Sequence, residues 1–315
     1  IGFREIQDIF ASMYYFAGMG NTEFVKKMLA GWIGNVYEDG YTNHNFYWKG
    51  KEPGWWSDDA LWLLQALDRY VSLTGDYDFL KEEIAVAGSE GKKRSILNTI
   101  KAIILYSSKI SVGKHGIPLI DRADWNDCLR LGAEGESTFV AFQFYLAMSI
   151  MKQFAAFKND DAYIEYLDKA QAELAEVLET VCWNEDRFIR GIREDGTIVG
   201  AKKDPEANMW LNPQSWSVIS GFASSEKADK AMNSVHDILN TPYGAKLLEP
   251  PYKKHYFDGA LMHIFNDDTK ENGGIFSQSQ GWLILAESLL GHGNRAFEYF
   301  LESSPAAMND KAEIR

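Results

Sequence analysis

The chain has 315 residues, and its 45 Asp and Glu against 32 Lys and Arg give a net charge of −13. With no basic run interleaved with aromatics, these numbers exclude nucleic acid as the expected partner; the longest basic run, Lys92-Lys93-Arg94, suits a solvated turn. Two cysteines, Cys128 and Cys182, exclude a disulfide framework and fit a reducing compartment, so a cytoplasmic setting is expected.

No apolar run approaches the roughly 20 residues of a bilayer span, so no membrane association is expected. The N-terminus, Ile1-Gly2-Phe3-Arg4, has neither Met nor a signal-peptide pattern and reads as the interior of a longer protein. Ten Trp, 15 Tyr and 18 Phe suit a packed core. They equally suit a sugar-binding cleft, where flat rings stack on pyranose faces.

In chain order, Phe24, Val25, Met28, Leu29, Trp32, Ile33 and Val36 repeat at helical spacing and give one apolar stripe. Ser57-Asp58-Asp59 before Leu61, Leu64 and Leu67 reads as a cap and acidic first turn with a buried face after it. Asn212-Pro213 has the order of a helix start. The same criteria predict helices near 3–18, 22–37, 57–72, 93–108, 137–157, 159–183, 213–222, 225–239, 281–291 and 293–302, with a shorter one near 78–84. Strands are confined to connections: 187–191 and 197–200 flank Glu194-Asp195-Gly196 as a small hairpin. Residues 241–280 show no steady period and read as a functional loop. Paired helices of uneven length favour an all-α toroid of helical hairpins over a solenoid, whose repeats are more regular.

Three segments concentrate the groups that chemistry needs. Asp121-Arg122-Ala123-Asp124-Trp125-Asn126-Asp127-Cys128-Leu129 offers carboxyls beside a large ring, which would desolvate one and keep it protonated. On a helical turn Asp124 and Asp127 would lie close; the same residues also suit a helix cap or Asx turn before Leu129 and Leu131. In Lys270-Glu271-Asn272-Gly273-Gly274-Ile275-Phe276-Ser277-Gln278-Ser279-Gln280, the glycines would let backbone approach a ligand. Its Ser and Gln residues at a helix start would offer donors to an anion. Gly2-Phe3-Arg4-Glu5-Ile6-Gln7-Asp8 could hydrogen-bond sugar hydroxyls or form a salt-bridged surface face. The six His show no paired metal-ligand spacing, and no metal site is expected. No GxSxG, Walker A or GxGxxG motif occurs; His255 and His263 lie in the long loop.

Five segments taken in order, SDDALWL at 57–63, DWNDC at 124–128, LNPQSW at 211–216, LLEPPY at 247–252 and KENGGIF at 270–276, resemble glycoside hydrolase family 94. That family holds inverting phosphorylases of β-linked sugars. The resemblance implies an (α/α)6 barrel with small β-hairpins in its loops. It also implies an N-terminal β-sandwich and a C-terminal barrel segment that residues 1–315 would lack, so the chain looks like a catalytic-domain piece.

The resemblance makes Asp127 the general acid and places Trp125 against the transferred sugar. It gives Arg4, Glu5, Lys270 and Glu271 substrate contacts, Phe265 a role in acceptor specificity, and Ser277, Gln278 and Ser279 the phosphate. No cofactor is implied; inorganic phosphate is co-substrate, and the partner is a β-linked di- or oligosaccharide. A homodimer of the full-length protein stays open.

Two departures stand out. GFREIQD is one residue shorter than the family's GFRDxxQD, and on a helix one missing residue rotates the later positions, Gln7 and Asp8, by about 100°. Gln278 replaces the family's phosphate-binding His, and Gln cannot carry positive charge. An inverting hydrolase, with Asp124, Glu134 or Glu136 as base, and an inactive carbohydrate-binding module are the alternatives. The form ADWNDCL leans towards chitobiose-like or cellobionate-like relatives.

Overall fold

The structure is a computed structural model that describes residues 4–47, 50–52, 54–253 and 261–309. The chain divides into two compact units: residues 1–125 with 143–173, and residues 126–142 with 174–315.

The first unit opens with strand β1 (Arg4–Glu5), which pairs with β2 (Asn45–Tyr47), itself paired with β3 (Gly50–Glu52). The helix expected at 3–18 therefore starts at Ile6, because Arg4 and Glu5 are taken up by the sheet. Helices α1 (Ile6–Gly18) and α2 (Thr22–Ile33) pack on each other and on α3 (Asp59–Thr74). In α2 only Val25, Leu29, Trp32 and Ile33 are buried, the one-sided stripe of a helix with its other face in solvent. In α3 every residue from Asp59 to Leu67 is buried, so it is an inner helix covered on all sides. Gly75, left-handed at φ 69°, closes α3 with its N–H on the Val71 carbonyl. A short 3-10 helix at Tyr77–Lys81 and strands β4 (Glu83–Ala85) and β5 (Lys93–Ser95) lead into α4 (Ile96–Leu105), capped by Ser95 on the Asn98 N–H at 3.2 Å. The first unit also takes in 143–157 of α5 (Thr138–Phe157) and 161–173 of α6 (Asp161–Val177).

Asp58 stands just before α3 but does not cap it with its side chain; its Oδ2 accepts the Trp62 Nε1–H at 2.9 Å. Burial, and then the neighbouring Asp59 and Asp124 carboxylates, push the Asp58 carboxyl well above the usual range. The folded chain thus holds a proton there that the unfolded chain releases near pH 4, so this group costs stability as pH rises beyond that point. Asp58→Asn, which is neutral and can still accept from Trp62, is expected to raise Tm at pH 7–8 and flatten its fall with pH. The gain should be about 2 °C or more. Thermal melts from pH 5 to 8 test this; equal slopes in variant and parent would disprove it. Beside Asp58, buried His44 lies 3.2 Å from Asp59 and stacks on Trp56 with ring centroids 4.1 Å apart.

The second unit uses the same logic. Strand β6 (Glu136–Ser137) leads into the first residues of α5. After α6 come β7 (Trp183–Asn184), β8 (Arg187–Phe188), β9 (Gly191–Ile192) and β10 (Ile198–Val199). The expected hairpin exists in shortened form: β9 pairs with β10 and also with β6, whereas Arg187 and Phe188 pair back to Asn184 and Trp183. Strand β11 (Met209–Trp210) precedes α7 (Leu211–Ile219) and pairs with β12 (Leu248–Glu249), inside the long loop. Helix α7 is buried from Leu211 to Val218 and starts two residues before the expected Pro213, which sits harmlessly in the first turn. It packs on α8 (Ser225–Leu239), whose apolar face is Ala228, Ala231, Met232, Val235 and Leu239, and on α9 (Ser277–Leu289). Helices α10 (Gly293–Ser303) and α11 (Pro305–Met308) come last, and Tyr299 of α10 joins Leu211, Met232, Leu283 and Ala286 in one cluster.

One expectation needs correction. By length and composition α5 could cross a membrane, but most of it is buried in the protein, as in a core helix.

Candidate functional site

The segment that holds Asp124 and Asp127 is a pinned loop that ends in a single turn. Residues 121–123 run beside 55–57, with the Arg122 N–H on the Trp55 carbonyl at 2.8 Å and the Ser57 N–H on the Ala123 carbonyl at 3.0 Å. Asp124 and Trp125 are buried in the first unit, and Asp124 belongs to the carboxylate group around Asp58.

From Asn126 onwards the segment belongs to the second unit, where Leu129 N–H closes a single turn on the Asn126 carbonyl at 3.0 Å. Asn126 is fully buried, and its Oδ1 accepts from Arg190 at 3.0 Å and from Asn212 Nδ2 at 3.2 Å. Arg190, also fully buried, donates to Ser137 Oγ at 3.1 Å and lies over the Trp210 and Phe139 rings, 5.3 and 5.7 Å from their centroids. A guanidinium withdrawn from water needs such partners. Here they fix the residue next to Asp127, while Asp127 itself is exposed to solvent. Of the two carboxyls that flank Trp125 in sequence, Asp124 is therefore the buried one and Asp127 the exposed one.

The desolvated carboxyl is that of Glu271. Burial pushes it from the ordinary range up to about 7, repulsion from Asp127 adds to this, and hydrogen bonds from Cys128 and Asn126 pull the other way. Both Glu271 oxygens lie 3.1 Å from the Cys128 backbone nitrogen, which joins segments 143 residues apart. The Cys128 carbonyl accepts from the Leu261 N–H at 3.2 Å, so the backbone of Cys128 is held at both its N–H and its carbonyl.

A strained turn places Glu271. Lys270 is left-handed at φ 51°, and its carbonyl accepts from the Gly274 N–H at 2.9 Å. A Cβ on Gly274 would stand 2.4 Å from that carbonyl oxygen. Gly274 thus serves the turn's own backbone. Buried Asn272 ties the long loop together: its Oδ1 accepts from the Tyr252 N–H at 2.8 Å, and its Nδ2 donates to the Tyr252 and Phe265 carbonyls at 3.0 and 3.1 Å.

Among the remaining expected residues, Lys270 is exposed and Phe265 half-buried. Ser277, exposed, begins α9 four residues earlier than expected, and Gln278 is half-buried in its first turn. Ser279 turns inward, fully buried, with its hydroxyl on the Phe276 carbonyl at 2.9 Å. Gln280 clamps Ala245 through its N–H at 2.8 Å and its carbonyl at 2.9 Å. The side chains of Arg4 and Glu5, and all of His255, lie outside the described residues. Of the candidate bases, Glu134 is exposed and Glu136 is buried within β6.

Asp127 and Glu271 are therefore brought together. Arg190 and Asn212, not expected as parts of the site, supply its support; the only sequence signal for either is the place of Asn212 within LNPQSW.

The family model "Glycosyl hydrolase 94 superfamily, catalytic domain" matches residues 2–315. An N,N'-diacetylchitobiose phosphorylase of Vibrio proteolyticus is 34% identical over 261 residues, covering 82% of this chain and 32% of that protein. A solabiose phosphorylase of Paenibacillus borealis is 27% identical over 309 residues, covering 96% of this chain and 39% of its own. A cellobionic acid phosphorylase of Neurospora crassa is 30% identical over 254 residues, covering 79% of this chain and 32% of that protein. The chain thus spans about a third of the length of these relatives. The solved structure of a rhamnosidase from Klebsiella oxytoca with rhamnose bound aligns at TM-score 0.61 over 93% of this chain and 47% of that one. At 12% identity it speaks to the fold alone.

Proposed function

Because the chain belongs to the glycosyl hydrolase 94 superfamily, whose catalytic domain is the (α/α)6 barrel that the resemblance implied, we propose that it performs inverting phosphorolysis of a β-linked disaccharide or short oligosaccharide. The observation that carries this reading is the convergence of DWNDC and KENGG, where Glu271 holds the peptide after an exposed Asp127.

In the proposed reaction a phosphate oxygen attacks the anomeric carbon from the face opposite the leaving group. The glycosidic C–O bond breaks as Asp127 gives its proton to the bridging oxygen. An α-sugar 1-phosphate and a free acceptor sugar leave. Phosphate is already anionic at neutral pH, so no carboxylate base is required, whereas an inverting hydrolase needs two carboxyls. Arg4, Glu5, Trp125 and Lys270 are assigned to the sugar, and Phe265 to the acceptor. Ser277 and Gln278 at the start of α9, with Ser279 behind them, are assigned to phosphate, where first-turn N–H groups add to an anion site. A cytoplasmic setting is part of the proposal, motivated by the two free cysteines.

The test incubates the full-length protein with phosphate and a panel of β-linked disaccharides, N,N'-diacetylchitobiose and cellobionic acid included. Strictly phosphate-dependent α-sugar 1-phosphate is expected. Free sugars at the same rate without phosphate would replace this reading by hydrolysis, and no cleavage of any substrate by a folded protein would remove it.

A further inference from the structure

Resting on the reading of Asp127 as the acid, we infer that Glu271 is a positioning residue that acts through it. Its carboxylate holds the Asp127–Cys128 peptide by the Cys128 N–H and sets a second acidic group beside the acid. This differs from a sugar contact, the role that the KENGG segment alone suggests.

Three observations carry it. Both carboxylate oxygens share the Cys128 N–H at 3.1 Å, while the Leu261 N–H takes the carbonyl of the same residue at 3.2 Å, so the loop is fixed where Asp127 leaves it. Glu271 is itself locked between left-handed Lys270 and buried Asn272, whose side chain grips the Tyr252 and Phe265 backbone. Asp127 is the charged neighbour that opposes ionisation of Glu271.

The other groups nearby do not cancel this. Burial and Glu271 push the Cys128 thiol up to about 12, so it stays neutral in the working range. Arg130 donates to the Asp127 backbone carbonyl and to the Leu129 carbonyl. A negative carboxylate held beside the acid opposes loss of the acid's proton, which is how the charge on Glu271 bears on the reaction. At neutral pH Glu271 exchanges between a form that grips the Cys128 N–H strongly and a neutral form that grips it less.

The experiment uses the full-length protein labelled with ¹⁵N-cysteine, together with Glu271→Gln and Glu271→Ala. In the parent, the Cys128 amide resonance is expected to shift with pH around a midpoint of about 7 and to stay flat in Glu271→Gln. In kinetics, Gln keeps an acceptor but removes the charge. The alkaline limb of the kcat profile should then move down by about 0.5–1 pH unit, with KM for the sugar within about twofold. Glu271→Ala, lacking acceptor and charge, should lose about a further tenfold in kcat.

A Cys128 amide that does not respond between pH 5 and 9 overturns the inference whatever the activity. So does a Gln variant with raised KM and the parent's pH profile, which would mark a plain substrate contact. If the amide titrates as expected but the parent cleaves nothing, the phosphorylase reading falls and the clamp stands.

Discussion

Replacing Asp127 by Asn is expected to slow phosphorolysis by about 10²–10⁴-fold, the range over which a general acid contributes to breaking a bond with a poor leaving group. The fold should be untouched. The side chain is exposed, and the bond from Arg130 goes to the backbone carbonyl, which the substitution leaves in place. A Tm within about 1 °C of the parent is therefore expected.

Leaving-group chemistry separates this role from general damage. A sugar bearing a 2,4-dinitrophenolate departs without a proton, so its phosphorolysis should suffer far less than that of the disaccharide. Initial rates on both substrates decide the matter. An equal deficit on the two would mean that Asp127 orients substrate, and a variant close to parental activity on the disaccharide would remove it from the chemistry.

The range of the interactions decides how much of the fold and site is legible in the sequence. Helices such as α8 declare themselves locally, because Ala228, Ala231, Met232, Val235 and Leu239 repeat on one face and Ser224 caps the first turn at the Lys227 N–H. Inner helices are harder to bound. In α7 and α9 polar residues such as Gln214 and Gln280 are buried and bond to strand and loop backbone, so periodicity loses its contrast.

The same loss of contrast displaces the expected start of α9. Ser277 to Gln280 have the composition of a loop, and Gly281 that of its end, yet nothing stands within 4 Å of a Cβ there and the helix runs through it. Motifs name Asp127 and Glu271, but not their meeting. The Cys128–Glu271 contact spans 143 residues, and no local pattern encodes such a closure. Arg190 is hidden most completely, since in sequence it is one more residue of a strand-like run.

Arg190 also yields the second large effect. Arg190→Met keeps length and apolar contact with Phe139 and Trp210 but removes the donors to Ser137 and Asn126. Two terms oppose each other in stability: lost charge-assisted hydrogen bonds cost about 1.5–3 kcal/mol each, and relief of a desolvated cation returns part of that. A Tm lower by a few degrees is the expected balance. The effect on turnover should be larger. Asn126 Oδ1 would keep its bond from Asn212 but lose that from Arg190, so the turn carrying Asp127 would be held from one side less, and a displacement of about 1 Å can cost 10²-fold. A fall in kcat of about 10–100-fold is expected.

A double-mutant cycle shows whether that fall passes through the acid. If Arg190 acts only by fixing Asp127, adding Arg190→Met to Asp127→Asn should slow the reaction little further, because there is no proton transfer left to misplace. Additive losses would instead assign Arg190 a contribution of its own, such as a field at the sugar. The cycle is decisive because Arg190 is fully buried and reaches the chemistry through Asn126, one residue from Asp127.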